Sequence, residues 1–124
     1  MERITLITGG SRGIGSAAAK LCAEAGHAVA VNYVSNADKA NIVAAAIRDA
    51  GGIAMTVQAD TGDESQVEHM FDAVSAELGL ITGLVNNAGV HGPRGRLDEL
   101  TNYEIQAVLN TNVLGCFLCA RAAV

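Results

Sequence analysis

The amino-acid sequence predicts an α/β fold in which a doubly wound parallel sheet carries helices on both faces. Four short runs rich in aliphatic and β-branched residues alternate strictly with Ala-rich stretches of helical spacing. Glycines stand where each of the first three helical stretches ends, and a denser glycine cluster joins the first strand to the first helix. Strict β-then-α alternation calls for right-handed crossovers, which lay the strands parallel and distribute the helices over both faces.

Residues 3–8 (RITLIT) read as a short buried strand, and the turn at 9–15 leads into a helical stretch at 14–25 that Gly26 stops. Residues 28–34 (AVAVNYV) form a second strand, followed by a helix at 37–50 that Gly51 and Gly52 terminate. A third strand at 53–59 (IAMTVQA) precedes a helix at 63–79, where Asp63 as N-cap and Gln66 three residues on have capping-box spacing. The fourth strand is read at 81–86, then a polar loop at 91–96 and two helices at 101–109 and 111–124. If the strand order is 3-2-1-4, the fourth strand is an open edge and the last helix exposes an apolar face, features that favour association. Residues 113–124 are strongly apolar and stop without Gly, cap or polar tail, so the domain over residues 1–124 is expected to be truncated, with a sheet incomplete on its carboxyl-terminal side.

A length of 124 residues suits one domain. With 50% hydrophobic residues but only two Phe, two Tyr and no Trp, the core must be built from Ala, Val, Ile and Leu. A formal net charge of −5 and the absence of a clustered Lys/Arg surface argue against nucleic-acid binding. No run reaches the ~18 apolar residues of a membrane span. Cys22, Cys116 and Cys119 are read as free thiols of a cytoplasmic protein. Cys116 and Cys119 have C-x-x-C spacing inside an apolar helix with no second ligand pair, so both are read as buried structural thiols, and no metal site is expected.

Chemistry concentrates at the carboxyl ends of the predicted strands. Thr8-Gly9-Gly10-Ser11-Arg12-Gly13-Ile14-Gly15 occupies the junction of the first strand and helix, where an open parallel sheet of Rossmann type receives a phosphate. Its spacing is G-x3-G-x-G rather than G-x-G-x-x-G. Gly9 allows the tight turn, Gly13 lets backbone approach a pyrophosphate, and Gly15 allows close packing. Asn86-Asn87-Ala88-Gly89 falls at the end of the fourth strand and Asp60 at the end of the third. A flexible glycine turn and an Asx-rich turn are the plain alternatives, but they require coincidences at successive strand ends.

Together with Asn112, these motifs resemble those of the short-chain dehydrogenases/reductases, and the resemblance covers the whole chain. It implies that Gly9, Ser11, Arg12, Ile14 and Gly15 contact the phosphates and ribose of a nicotinamide cofactor, that Asp60 and Thr61 meet the adenine, and that Asn86, Ala88 and Gly89 meet the nicotinamide-side ribose. Asn32 and Tyr33 occupy the place where NAD enzymes put an acidic residue for the ribose 2′-hydroxyl. With no carboxylate there, and Arg12 able to pair with a 2′-phosphate, NADP is favoured over NAD. Asp38 is read as serving the first turn of the following helix.

The family pairs a Tyr acid/base with a Lys in a Tyr-x3-Lys motif, helped by Ser and by an Asn that holds a proton-relay water. Asn112 matches that Asn and is the one catalytic candidate. Tyr103 has Ala107 four residues on, and Lys20 and Lys39, the only lysines, lie on early helices. The expected function is therefore an NADP-dependent oxidoreductase that interconverts a small-molecule carbonyl and an alcohol. The 124-residue chain itself is expected to be inactive; the alternative is a non-catalytic nucleotide-binding short form. His91 could line a substrate pocket, an ordinary loop histidine being the simpler reading. The family resemblance also implies a homo-tetramer or homo-dimer through the last helix.

Overall fold

The computed structural model describes residues 2–124; residue 1 of the expected domain lies outside the described residues. The elements follow in the order β1 (Ile4–Ile7), α1 (Gly13–Glu24), β2 (Ala28–Tyr33), α2 (Ala37–Asp49), β3 (Ala54–Gln58), α3 (Glu64–Glu77) and β4 (Gly83–Val85), then a 3₁₀ turn at Leu97–Glu99, α4 (Asn102–Leu109) and α5 (Gly115–Ala123). All four strands are parallel, in the order β3-β2-β1-β4. The chain therefore reverses its direction of travel across the sheet between β1 and β4, and ligands of open α/β sheets bind outside the carboxyl ends at such a reversal.

Side chains of a strand alternate between faces, and each face here has its own helices. Ile4, Leu6, Ala28, Ala30 and Met55 pack against Val67, Met70, Phe71 and Val74 of α3 and against Leu118 and Cys119 of α5. Ile7, Val29, Val31 and Ala54 pack against Ala19 of α1 and against Ala40, Val43, Ala44 and Ile47 of α2. Burial on both faces explains why β1 and most of β2 read as unbroken apolar runs rather than as alternating ones. Gly26, Gly51 and Gly79 end the first three helices with left-handed backbone, where the sequence puts the stops.

The fourth strand is shorter than the expected 81–86. It pairs with β1 alone, so nothing holds its outer edge extended. Its entry is tied by a side chain instead: Ile4 N–H donates to Thr82 Oγ1 at 3.0 Å, and Thr82 N–H donates to the Ile4 carbonyl at 2.8 Å. Among the described residues no helix is long and apolar enough to cross a membrane.

The two expected carboxyl-terminal helices are one continuous helical path. A π turn at Asn110–Leu114 joins α4 to α5, with Gly115 N–H reaching the Asn110 carbonyl five residues back. Residues 109–115 hold no Gly or Pro before Gly115, so nothing breaks the helix, and the extra residue is absorbed where the helix crosses the β3–α3 loop. A Cβ added to Gly115 would stand 2.8 Å from Thr61 Oγ1 and 3.0 Å from the Thr61 carbonyl oxygen. Tyr103, Leu109, Val113 and Phe117 leave one side of this path apolar and exposed.

Of the helix-borne thiols only Cys119 is buried; Cys116 is half-buried, which corrects the reading of two interior thiols. Cys116 lies on the rim and its thiol donates to the Asn112 carbonyl at 3.4 Å. Burial, with Cys116 adding, pushes the Cys119 thiol up from 9.0 to about 11.

Three outcomes are expected. Gly115→Ala gains intrinsic helix propensity of ~1 kcal/mol, yet the clash with Thr61 forces α5 off its loop, so urea unfolding should show a net loss of about 1–3 kcal/mol. At pH 8 a thiol reagent should label Cys116 well before Cys119. Because the folded-state value of Cys119 exceeds that of a free thiol, the unfolded chain releases this proton first, and stability should decline as pH rises from 9 toward 11.

Candidate functional site

The loops that leave the carboxyl ends of the strands are joined by an internal hydrogen-bond web. Thr8 Oγ1 accepts from the N–H groups of Asn87 and Ala88, each at 3.0 Å, and donates to the Val85 carbonyl at 3.3 Å. Asn87 Nδ2 donates back to the carbonyls of Thr8 and Gly9, each at 3.1 Å. The end of β4 is thereby locked to the end of β1.

Asn32 performs the same task between β1, β2 and β3. Its Oδ1 accepts from Gly9 N–H at 3.1 Å, and its Nδ2 donates to the carbonyls of Ala59 at 3.1 Å and Val57 at 3.3 Å. The side chain is fully buried. Asn32 thus points into the protein, where its amide supplies the pairs that the turn and the β3 end lack. The neighbouring Tyr33 is half-buried, and no acidic residue occupies 32–36.

At the head of α1 the chain is organised for an anion. Asn36, Asp63 and Thr101 cap α2, α3 and α4 with side-chain oxygens, whereas Arg12 offers α1 none. The amides of Gly13, Ile14 and Gly15 have no acceptor among the described residues. Gly13 has φ +56° and an added Cβ would meet nothing within 4 Å, so backbone is open to a ligand there. Gly15 is the opposite case: a Cβ would collide with the Gly9 carbonyl oxygen and stand 2.6 Å from Asn87 Nδ2. Free N–H groups at a helix N-terminus, with the dipole behind them, fit a pyrophosphate. Ser11 is half-buried, and Arg12 and Ile14 are exposed beside this opening.

Asp60 is half-buried at the end of β3; its Oδ1 accepts from Gly62 N–H at 2.9 Å. Thr61 is 3% exposed, its hydroxyl turned onto Gly115 of α5. Gln66 does not complete the expected capping box. Asp63 accepts from Gln66 N–H at 3.0 Å, but Gln66 Oε1 takes the N–H of Asp60 at 2.8 Å instead of that of Asp63.

The loop after β4 is strapped to the helical path. Asn86 Nδ2 donates to the Cys116 carbonyl at 3.0 Å. Asn112 makes a reciprocal pair with Val90, accepting its N–H and donating to its carbonyl, both at 2.7 Å. The Asn112 side chain is thus occupied by backbone, and Gly89 lies alongside it. Ala88 contributes its N–H to Thr8, and His91 is exposed on the loop beyond. Thr8, Asn87 and Gln66 were missed as site-building residues. The first two lie within the glycine and Asn-Asn-Ala-Gly motifs, and the signal for Gln66 is its cap spacing, which points to the wrong partner. Among the described residues no cluster of His, Cys, Asp and Glu could hold a metal ion.

Comparison with known proteins agrees with this arrangement. The family model for short chain dehydrogenases matches residues 3–124. The uncharacterised oxidoreductase YgfF of Escherichia coli K12 is 49% identical over 121 residues, 98% of this chain and 49% of that protein. A cis-4-hydroxycyclohexanecarboxylate dehydrogenase of Sinomonas cyclohexanicum is 40% identical over 122 residues, 98% of this chain and 48% of the relative. The crystal structure of a short chain dehydrogenase from Burkholderia cenocepacia J2315 in complex with NADP is 43% identical, with a TM-score of 0.92 over 98% of this chain and 49% of that one. The chain spans about half the length of the curated relatives it matches. A family model that matches nearly the whole length, and solved members that superpose on the same parallel sheet, account for both sequence and structure: the chain belongs to the short chain dehydrogenases.

Proposed function

We infer that residues 1–124 form the dinucleotide-binding domain of an NADP-dependent oxidoreductase that interconverts a carbonyl and an alcohol. The observation that carries this reading is the uncapped N-terminus of α1 behind the open backbone of Gly13, three amides aimed at the sheet's ligand-binding edge without an acceptor. The bound nicotinamide supplies hydride chemistry. The protein's own residues hold it: the amides of Gly13, Ile14 and Gly15 take the pyrophosphate, with Gly9 and Ser11 shaping the turn. Asp60 and the Thr61 backbone take the adenine edge, while Ala88 and Gly89 border the nicotinamide side, the loop held by Asn86.

NADP rather than NAD is supported by the lack of an acidic residue at 32–36 and by an Arg12 side chain that is exposed and makes no ion pair among the described residues. The Burkholderia relative was crystallised with NADP. Tyr33 stands at the same strand end and is assigned to the adenosine-ribose pocket, whereas Asn32 acts behind it as an internal brace. Asn112 keeps its proposed place beside the reaction site, with its side chain committed to Val90 and its backbone in the π turn.

The chain alone binds cofactor without turning it over, because neither tyrosine is followed by the Lys that would favour its ionisation. The free edge of β4 and the half-length match with relatives support a domain that continues in the complete enzyme. There the apolar side of α4 and α5 is read as a homo-dimer or homo-tetramer contact, and the free thiols fit a reducing cytoplasm.

Fluorescence titration of the chain should give a lower Kd for NADPH than for NADH. Arg12→Ala should weaken NADPH about tenfold, the scale of one charge-assisted pair, and leave NADH unchanged; equal affinities in the unsubstituted chain would sink the NADP assignment. Gly15→Ala should abolish binding of both. Absorbance at the reduced nicotinamide band should stay constant when NADPH and a carbonyl substrate are mixed with the chain, and a steady decay would refute its inactivity.

A further inference from the structure

We propose that Gln66 is a positioning residue that sets the base preference of the nucleotide site, making it select adenine over a 6-oxopurine by fixing how Asp60 and Thr61 are presented. This rests on the dinucleotide-binding reading above.

The segment leaving β3 is held at successive atoms. Ala59 N–H donates to the Tyr33 carbonyl at 3.0 Å, and the Ala59 carbonyl accepts from Asn32 Nδ2 at 3.1 Å. Asp60 then turns the chain: its carbonyl accepts from Asp63 N–H at 3.1 Å and its Oδ1 from Gly62 N–H at 2.9 Å. Two groups are left over, side by side in the chain. Asp60 Oδ2 has no donor and Thr61 N–H has no acceptor among the described residues. One is an acceptor and the other a donor, at the end of the sheet where a ligand binds.

Adenine presents the complementary edge, a 6-amino donor beside the N1 acceptor. A 6-oxopurine presents the reverse, O6 as acceptor beside N1–H as donor, so the carboxylate oxygen would face an oxygen and the amide would face another N–H. A site built on a donor–acceptor pair rejects the analogue that reverses it, because both protein groups are left unpaired or repelled.

That selectivity needs the pair held at fixed spacing, and Gln66 closes the frame. At N3 of α3 its side chain would ordinarily return to the Asp63 N–H. Here that N–H is taken by the Asp60 carbonyl, and Gln66 Oε1 reaches past it to Asp60 N–H at 2.8 Å. Its own N–H is held by Asp63 Oδ1 at 3.0 Å. The first turn of α3 and the end of β3 therefore form one closed ring of hydrogen bonds around Asp60. Without the Gln66 oxygen, Asp60 N–H has no acceptor, and the peptide plane leading into Asp60 is held on one side alone, by Asn32 at the Ala59 carbonyl.

The test is calorimetric titration of the chain with NADP and with nicotinamide hypoxanthine dinucleotide phosphate. The unsubstituted chain should prefer NADP by about tenfold or more. In Gln66→Leu the ratio should fall to within about twofold, while Gln66→Glu, which keeps an acceptor oxygen, should retain most of it. The ratio within one variant does not depend on its folded fraction, so general destabilisation cannot imitate the effect. A Gln66→Leu chain with undiminished preference, or an unsubstituted chain that binds both nucleotides equally, overturns the proposal. An unsubstituted chain that binds neither overturns the dinucleotide-binding reading, and this inference with it.

Discussion

The hydroxyl of Thr8 is the point on which the ligand-binding edge depends. One oxygen accepts two backbone amides from the loop after β4 and donates to the last carbonyl of that strand. The loop that leaves a three-residue edge strand is thereby tied to the central strand β1. Asn87 reinforces it from the opposite side, and Gly15 must lack a side chain because Asn87 and the Gly9 carbonyl fill the space beside it. Thr8 itself is buried, and its partners are partly so. Leaving one unpaired costs about 1–3 kcal/mol, so the web holds a single arrangement rather than several.

Asn32 extends the constraint to β2 and β3. A polar side chain with no exposure is tolerated because both ends of its amide are paired, and those pairs join the glycine turn to the carbonyls that end β3. Its interior position changes the electrostatic argument about the cofactor. The end of β2 still carries no acidic residue, but the Asn32 amide itself is committed to backbone groups. The exposed Arg12 and the unsatisfied amides of α1 then provide the local positive potential in a protein whose formal net charge is −5.

On the far side the π turn places Asn112 opposite Val90 and Cys116 opposite Asn86, so the loop bordering the proposed nicotinamide position is held by the Asn112 side chain and, a turn further along the same helical path, by the Cys116 carbonyl that accepts from the Asn86 side chain. The same path rests on Thr61 through Gly115, which links the proposed adenine end to the proposed nicotinamide end through a single helical path. The cradle is rigid because each loop is fixed by an element other than the two it connects.

Alternation and period were sufficient for the fold. Apolar runs buried on both faces, helices stopped at Gly26, Gly51 and Gly79, and a glycine turn after β1 are local properties of the chain, and they determined a parallel sheet, its connections and the end at which a nucleotide would sit. Tertiary structure alone decided what each polar side chain at that end touches. Asn32 belongs to the interior, Gln66 serves Asp60 rather than its own helix, Asn112 holds Val90, and residues 110–114 continue the helix as a π turn. The reason is physical: hydrophobic period is a statement about neighbours within one element, whereas these hydrogen bonds join one element to another, and those of the Thr8 web join residues up to 80 positions apart. Their partners exist only after four strands have brought their ends together.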